Sequence, residues 1–127
     1  MVGTLYVKRV GDRIELNFPA QPGTRKDIPA GLEDALGARV FEYYEASKAM
    51  AVMESAEVVR NLTPDIAYIN TMEIDGIILT AKGDDCDCVS RYFVPQGGID
   101  EDPVTGSAHC TVIPYWADKL GKSELHA

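Results

Sequence analysis

The stretch Asp100-Glu101-Asp102-Pro103-Val104-Thr105-Gly106-Ser107-Ala108-His109 decides how this chain is read. Acidic residues and a proline lead into Thr-Gly-Ser, and an apolar segment follows from Ala108 to Leu120. That order describes a loop entering a helix. Backbone N–H groups at a helix start lack intrahelical partners and sit at the positive end of the helix dipole, so they bind anions. Gly106 removes the side chain that would keep a ligand from the backbone. Asp102 stands just before this cradle, where a carboxylate can move a proton.

The helix that follows is expected from Ser107 to Leu120. Ala108, Val112, Trp116 and Leu120 form one apolar stripe at i, i+4 spacing. Cys110, Ile113, Tyr115 and Ala117 cover much of the remaining surface. A helix apolar nearly all round is buried nearly all round, and the simplest packing is a strongly curved sheet wrapped around it. Pro114 removes one backbone hydrogen bond and is expected to kink the helix, while Gly121 stops it.

Upstream, Leu5 and Val7, then Ile14, Leu16 and Phe18, alternate with polar residues around Gly11-Asp12, which predicts a hairpin. Pro19 to Gly23 breaks the pattern, so residues 1–19 read as an N-terminal hairpin, 20–27 as a linker and 28–127 as the core. Ile28 to Leu36 predicts a short helix stopped by Gly37. Strands are expected from Phe41 to Ala46, Ala49 to Met53, Ile77 to Thr80 and Cys88 to Val94. Ser55 can cap a helix that Pro64 limits, and Ile66 to Met72 suits a second one.

The chain has 127 residues, 46% hydrophobic and 25% charged, which suits one globular domain. Its formal net charge of -8 argues against nucleic acid and anionic membrane as partners. No apolar run approaches the ~20 residues a membrane span needs, and no leader pattern opens the chain, so a cytoplasmic location is expected. Cys86 and Cys88 are one residue apart, which is neither zinc nor redox spacing; with Cys110 they read as ordinary thiols. Asp84, Asp85 and Asp87 lack the spacing of a calcium loop, so no metal is expected.

Ser90-Arg91-Tyr92-Phe93-Val94-Pro95, Gly98 through His109, and Pro114-Tyr115-Trp116-Ala117 together resemble the PhzF-like phenazine-biosynthesis family. Gly76-Ile77-Ile78-Leu79-Thr80-Ala81 and Asn17-Phe18-Pro19-Ala20 extend the resemblance upstream. It implies the diaminopimelate epimerase-like fold: two α+β halves, each a mostly antiparallel sheet around a central helix, with the active site between them. The helix from Ser107 matches the second central helix. The resemblance also implies that Asp102 shuttles protons, that Gly106 and Ser107 hold a substrate carboxylate, and that no cofactor takes part. The family's first half carries a catalytic glutamate in an Asn-x-x-Glu-type motif and a Gly-His-Ala-Thr motif on its own central helix; Gly-His-Ala-Thr is absent from this sequence. The chain therefore reads as a truncated domain, mainly the second half.

Two functional classes follow. In the first, the chain is an isomerase or epimerase acting on a small carboxylate, with a homodimer completing the site by placing a second Asp102 across the cleft. In the second, it is a non-catalytic fragment that dimerises or binds a small anion. A Ser107–His109 hydrolase pair is disfavoured, because two helical steps rotate side chains by roughly 200°. Arg91 is expected to support the site or to pair with an acidic-loop residue. The Leu5–Phe18 hairpin is expected to fill vacant strand positions, within the chain or by exchange between chains.

Overall fold

The computed structural model describes residues 6–11, 13–17, 20–74, 76–102, 107–123 and 125. Among these residues six strands form one sheet in the order β3-β4-β5-β6-β7-β8, comprising Thr24–Lys26, Val40–Glu45, Ala49–Met53, Ile77–Lys82, Cys88–Val94 and Ile99–Asp102. Every neighbouring pair is antiparallel except β5 and β6. A parallel pair needs a long crossover, and helices α2 (Ala56–Asn61) and α3 (Ile66–Asn70) lie in it. This is an α+β fold on a mostly antiparallel open sheet.

The side-chain period of a strand divides the core in two. Ala49, Ala51, Met53, Ile77, Leu79 and Phe93 face one side, where α1 (Leu32–Leu36), α2 and α3 cover them. Met50, Val52, Ile78, Cys88 and Tyr92 face the other, under Ala108, Val112 and Trp116 of the α4 segment. All five residues of β5 are buried. Helix α4 runs His109–Leu120, two residues shorter at its start than the sequence suggests. Cys110, Thr111, Val112 and Trp116 are buried, whereas Ile113, Tyr115 and Ala117 are only half-buried. The helix is therefore fully covered on its sheet side alone, not all round.

Local signals explain most element ends. Ser55 accepts a hydrogen bond from the Val58 N–H at 3.2 Å and Asp65 one from the Tyr68 N–H at 3.3 Å, so each caps a helix start. Gly37 ends α1 at φ 69°, a conformation that suits glycine. Pro114 has no N–H to bond the carbonyl four residues earlier. That carbonyl, on Cys110, accepts the N–H of Gln21 at 2.8 Å instead, which ties the approach to β3 onto α4.

Two strands escape the sequence pattern. β3 lies inside the expected linker, and β8 lies inside the expected loop. The N-terminal hairpin forms as expected, with β1 (Tyr6–Val10) paired to β2 (Arg13–Asn17) and Val10 opposite Arg13. It makes a two-stranded sheet of its own and adds no strand to the larger one, so it does not complete that sheet within the chain. Phe18 and the side chain of Leu16 lie outside what the structure describes. Among the described residues, no helix is long and apolar enough to cross a membrane.

One polar chain crosses the α4 side of the core. The Trp116 indole N–H donates to the Thr80 hydroxyl at 2.9 Å, and that hydroxyl donates to the Val89 carbonyl at 2.7 Å. Thr80 is fully buried, so valine in its place keeps the shape and orphans the indole donor. Thr80→Val is expected to lower stability by about 1–3 kcal/mol, read as a lower midpoint in urea denaturation with an unchanged slope.

Candidate active site

The acidic stretch is split by the pleat of β8. Across the antiparallel pair, Glu101 lies opposite Phe93 and Asp102 opposite Tyr92. Directly opposed residues share a face of the sheet. Phe93 belongs to the α1–α3 side and Tyr92 to the α4 side. Glu101 is thereby directed toward α2, and Asp102 toward the side where α4 begins.

The partners of Glu101 fit this division. Arg91 grips its carboxylate with two bonds, Nε to Oε1 at 2.8 Å and Nη2 to Oε2 at 3.0 Å. The Arg91 Nη1 donates to the carbonyls of Val59 at 2.9 Å and Leu62 at 2.7 Å, at the end of α2. The guanidinium also lies 4.7 Å from the Phe93 ring centroid. The sequence left Arg91 to support the site or to pair with a residue of the acidic Asp84–Asp87 loop; the structure pairs it with Glu101 of β8 instead. The Arg91 hydrogen bonds, outweighing burial, hold the Glu101 carboxyl below its ordinary value.

Asp102 is half-buried and closes β8. Ser107 is exposed, and its carbonyl accepts the N–H of Cys110 at 3.2 Å. Gly106 lies outside the described residues. The capping position of α4 is Ala108, which provides no side-chain acceptor. Ser107 and Asp102 therefore flank one short connection between a strand end and the start of a 12-residue helix. His109 is half-buried at that helix start.

A family model described as a phenazine biosynthesis-like protein matches residues 24–127. The chain belongs to that family. Among its relatives, an uncharacterized isomerase of Pseudomonas aeruginosa is 44% identical over 126 residues, covering 98% of this chain and 48% of the relative. A human phenazine biosynthesis-like domain-containing protein is 33% identical, covering 98% of this chain and 50% of that protein. A crystal structure of a PhzF-family phenazine biosynthesis protein from Enterococcus faecalis superposes with a TM-score of 0.91 at 38% identity. It covers 94% of this chain and 46% of that one. A putative PhzC/PhzF protein from Clostridium difficile gives 0.87 at 36% identity, over 95% of this chain and 47% of the other. The chain thus spans about half the length of these relatives.

Several of the remaining candidates have structural partners. Asp87 pairs with Lys122 at 2.6 Å and Asp84 approaches Arg60 at 4.0 Å. The Cys86 thiol donates to the Cys88 carbonyl at 3.2 Å, and burial pushes the Cys88 thiol up to about 11. Sequence reasoning missed a second polar centre at Glu42, which accepts the Tyr44 hydroxyl at 2.6 Å and the Tyr115 hydroxyl at 2.7 Å. The two-residue spacing of Glu42 and Tyr44 in a strand placed both on one face, which was the available signal.

The Glu101 carboxyl titrates lower in the folded state than in the unfolded one, so its stabilisation is present above the unfolded value of roughly 4.3. It is lost as pH falls through the folded value. With the carboxylate 40% exposed, screening limits the effect. Glu101→Gln is expected to cost about 1 kcal/mol at neutral pH, with the deficit closing below about pH 4 in parallel denaturation series.

Proposed function

We propose that this chain carries half of a cofactor-independent isomerase site for a small carboxylate-bearing substrate. Asp102 is the acid/base group, and the backbone at Gly106 and Ser107 with the Ser107 hydroxyl holds the substrate carboxylate. The observation that carries this reading is the division of the acidic strand. Arg91 engages Glu101 on one face, while Asp102 points to the face on which α4 starts. An anion is favoured at that helix start by about 0.3–1 kcal/mol, and by more where it is partly buried.

Cofactor-free epimerisation, which inverts a carbon centre, needs a proton-transfer group on each face of the substrate. In this reading a second copy of the chain brings its own Asp102 across the cleft, as a two-fold dimer would. A cytoplasmic location suits such chemistry. The second reading is a non-catalytic dimerising or anion-binding fragment.

Two measurements test the first reading, and the second of them separates the two. Solution mass is expected near twice 13.9 kDa; a monodisperse monomer removes the shared cleft. In deuterated water, small amino and carboxylic acids incubated with the protein are expected to exchange a carbon-bound proton. Asp102→Asn is expected to slow that exchange by about 10²-fold or more. Exchange that survives the substitution takes Asp102 out of the mechanism, and none with either protein favours the non-catalytic reading.

A further inference from the structure

A cavity of about 540 Å³ opens between the β3–β4 edge of the sheet and the flank of α4, a volume within the range of small-ligand pockets. Its lining does not include Asp102 or Ser107. Its centre is Glu42. Each Glu42 oxygen accepts one tyrosine hydroxyl, Oε1 from Tyr44 and Oε2 from Tyr115. Burial pushes the Glu42 carboxyl up, but the two phenol hydrogen bonds with Lys119 and Arg25 outweigh it, so it stays ionised.

The two cations are held loosely. Arg25 Nη1 lies 3.7 Å from Glu42 Oε1, and Lys119 Nζ lies 3.6 Å from Oε2. Both separations exceed hydrogen-bond length, and both side chains are more than half exposed, at 67% and 52%. Their donors can swing to an anion entering the cleft. Asp118 adds a second carboxylate to the lining, so two cations balance two anions. A lining that is neutral in sum and mixed in sign favours a ligand with both charges over one with a net charge.

An independent observation points to an occupant. Thr111 lines the cleft and is 1% exposed; its hydroxyl oxygen is itself buried and has no hydrogen-bond partner among the described residues. A helical threonine commonly bonds the carbonyl four residues back. Here that carbonyl, on Ser107, takes the Cys110 N–H. A buried hydroxyl left unpaired is destabilising where valine would fit.

We propose that this cleft is a binding site for a free amino acid with an apolar side chain. Arg25 and Lys119 take its carboxylate, Glu42 and Asp118 its ammonium, and the Thr111 hydroxyl, brought to the cleft by rotation of its side chain, supplies a further bond to the polar end. Met50, Pro114 and the two tyrosine rings receive the side chain. The site is separate from the one at Asp102 and does not rest on the isomerase reading.

The test is an NMR titration of the ¹⁵N-labelled protein with L-phenylalanine, and with 3-phenylpropionate and phenethylamine, which each lack one charge. Saturable shifts with L-phenylalanine are expected around Thr111, Tyr115 and Glu42, with at least tenfold weaker binding for the other two. Glu42→Gln and Thr111→Val are each expected to weaken binding about tenfold, with Thr111→Val keeping or raising the melting temperature. The proposal is overturned by no saturable shift up to roughly 10 mM, a range in which even millimolar binding is visible. Equal binding of 3-phenylpropionate, shifts centred on Asp102 and Ser107, or undiminished binding by both variants also overturns it. Should either variant fail to fold, the other variant and the two analogues decide.

Discussion

Burial of β5 and β6 on both faces is the constraint from which the rest of the structure follows. Ala49–Met53 is buried throughout, and Ile77 through Ala81 is fully buried. A sheet whose centre is apolar on both sides needs a cover on each. The α2–α3 crossover provides one as a by-product of joining parallel strands. The other must come from elsewhere in the chain, and α4 provides it. This explains why the segment after Ser107 is rich in apolar residues and why Trp116, a large side chain with one donor, sits where Thr80 can accept from it.

The same constraint explains a helix that carries a proline. Within α4, Pro114 leaves the Cys110 carbonyl without its intrahelical donor, and Gln21 supplies one from outside the helix. The proline is thus part of a tertiary contact, joining α4 to the chain that leads into β3. Strand β3 then pairs with β4, whose Glu42 bonds Tyr115 of the same helix. Two hydrogen bonds, one through backbone and one through side chains, lock α4 against the far edge of the sheet from β8.

Legibility in the sequence tracks burial. Strands β5 and β7 match their expected bounds because their residues carry an apolar or alternating pattern that only one geometry satisfies. The Ser55 cap was legible because its side chain competes locally for a backbone N–H. Strands β3 and β8 were not, since Thr24–Lys26 is exposed throughout and Ile99–Asp102 nearly so. Neither edge strand carries an apolar face to mark it, and charged edges discourage pairing with other chains. The all-round apolar reading of α4 failed for a related reason. Tyr115 counts as apolar by composition, yet it directs its hydroxyl to Glu42. The motif singled out Asp102, but the placing of Glu101 and Asp102 on opposite faces was not legible, because it depends on strand register.

That register has a specific cause. Phe93 opposes Glu101, whereas the next residue, Val94, opposes Ile99, so Asp100 is an extra residue with no opposite number. The bulge follows a one-turn helix at Pro95–Gly97 and Gly98, which holds φ 86°. Had the strand run on from the Val94–Ile99 pair without it, Glu101 would oppose Tyr92 and Asp102 would oppose Arg91. The arginine would then clamp Asp102 and turn Glu101 toward α4, since a one-residue slip exchanges the faces of every side chain. The bulge at Asp100 therefore decides which carboxylate is neutralised by Arg91 and which is carried to the start of α4. A role for Asp102 at that helix consequently depends on a backbone irregularity two residues upstream as much as on its own chemistry.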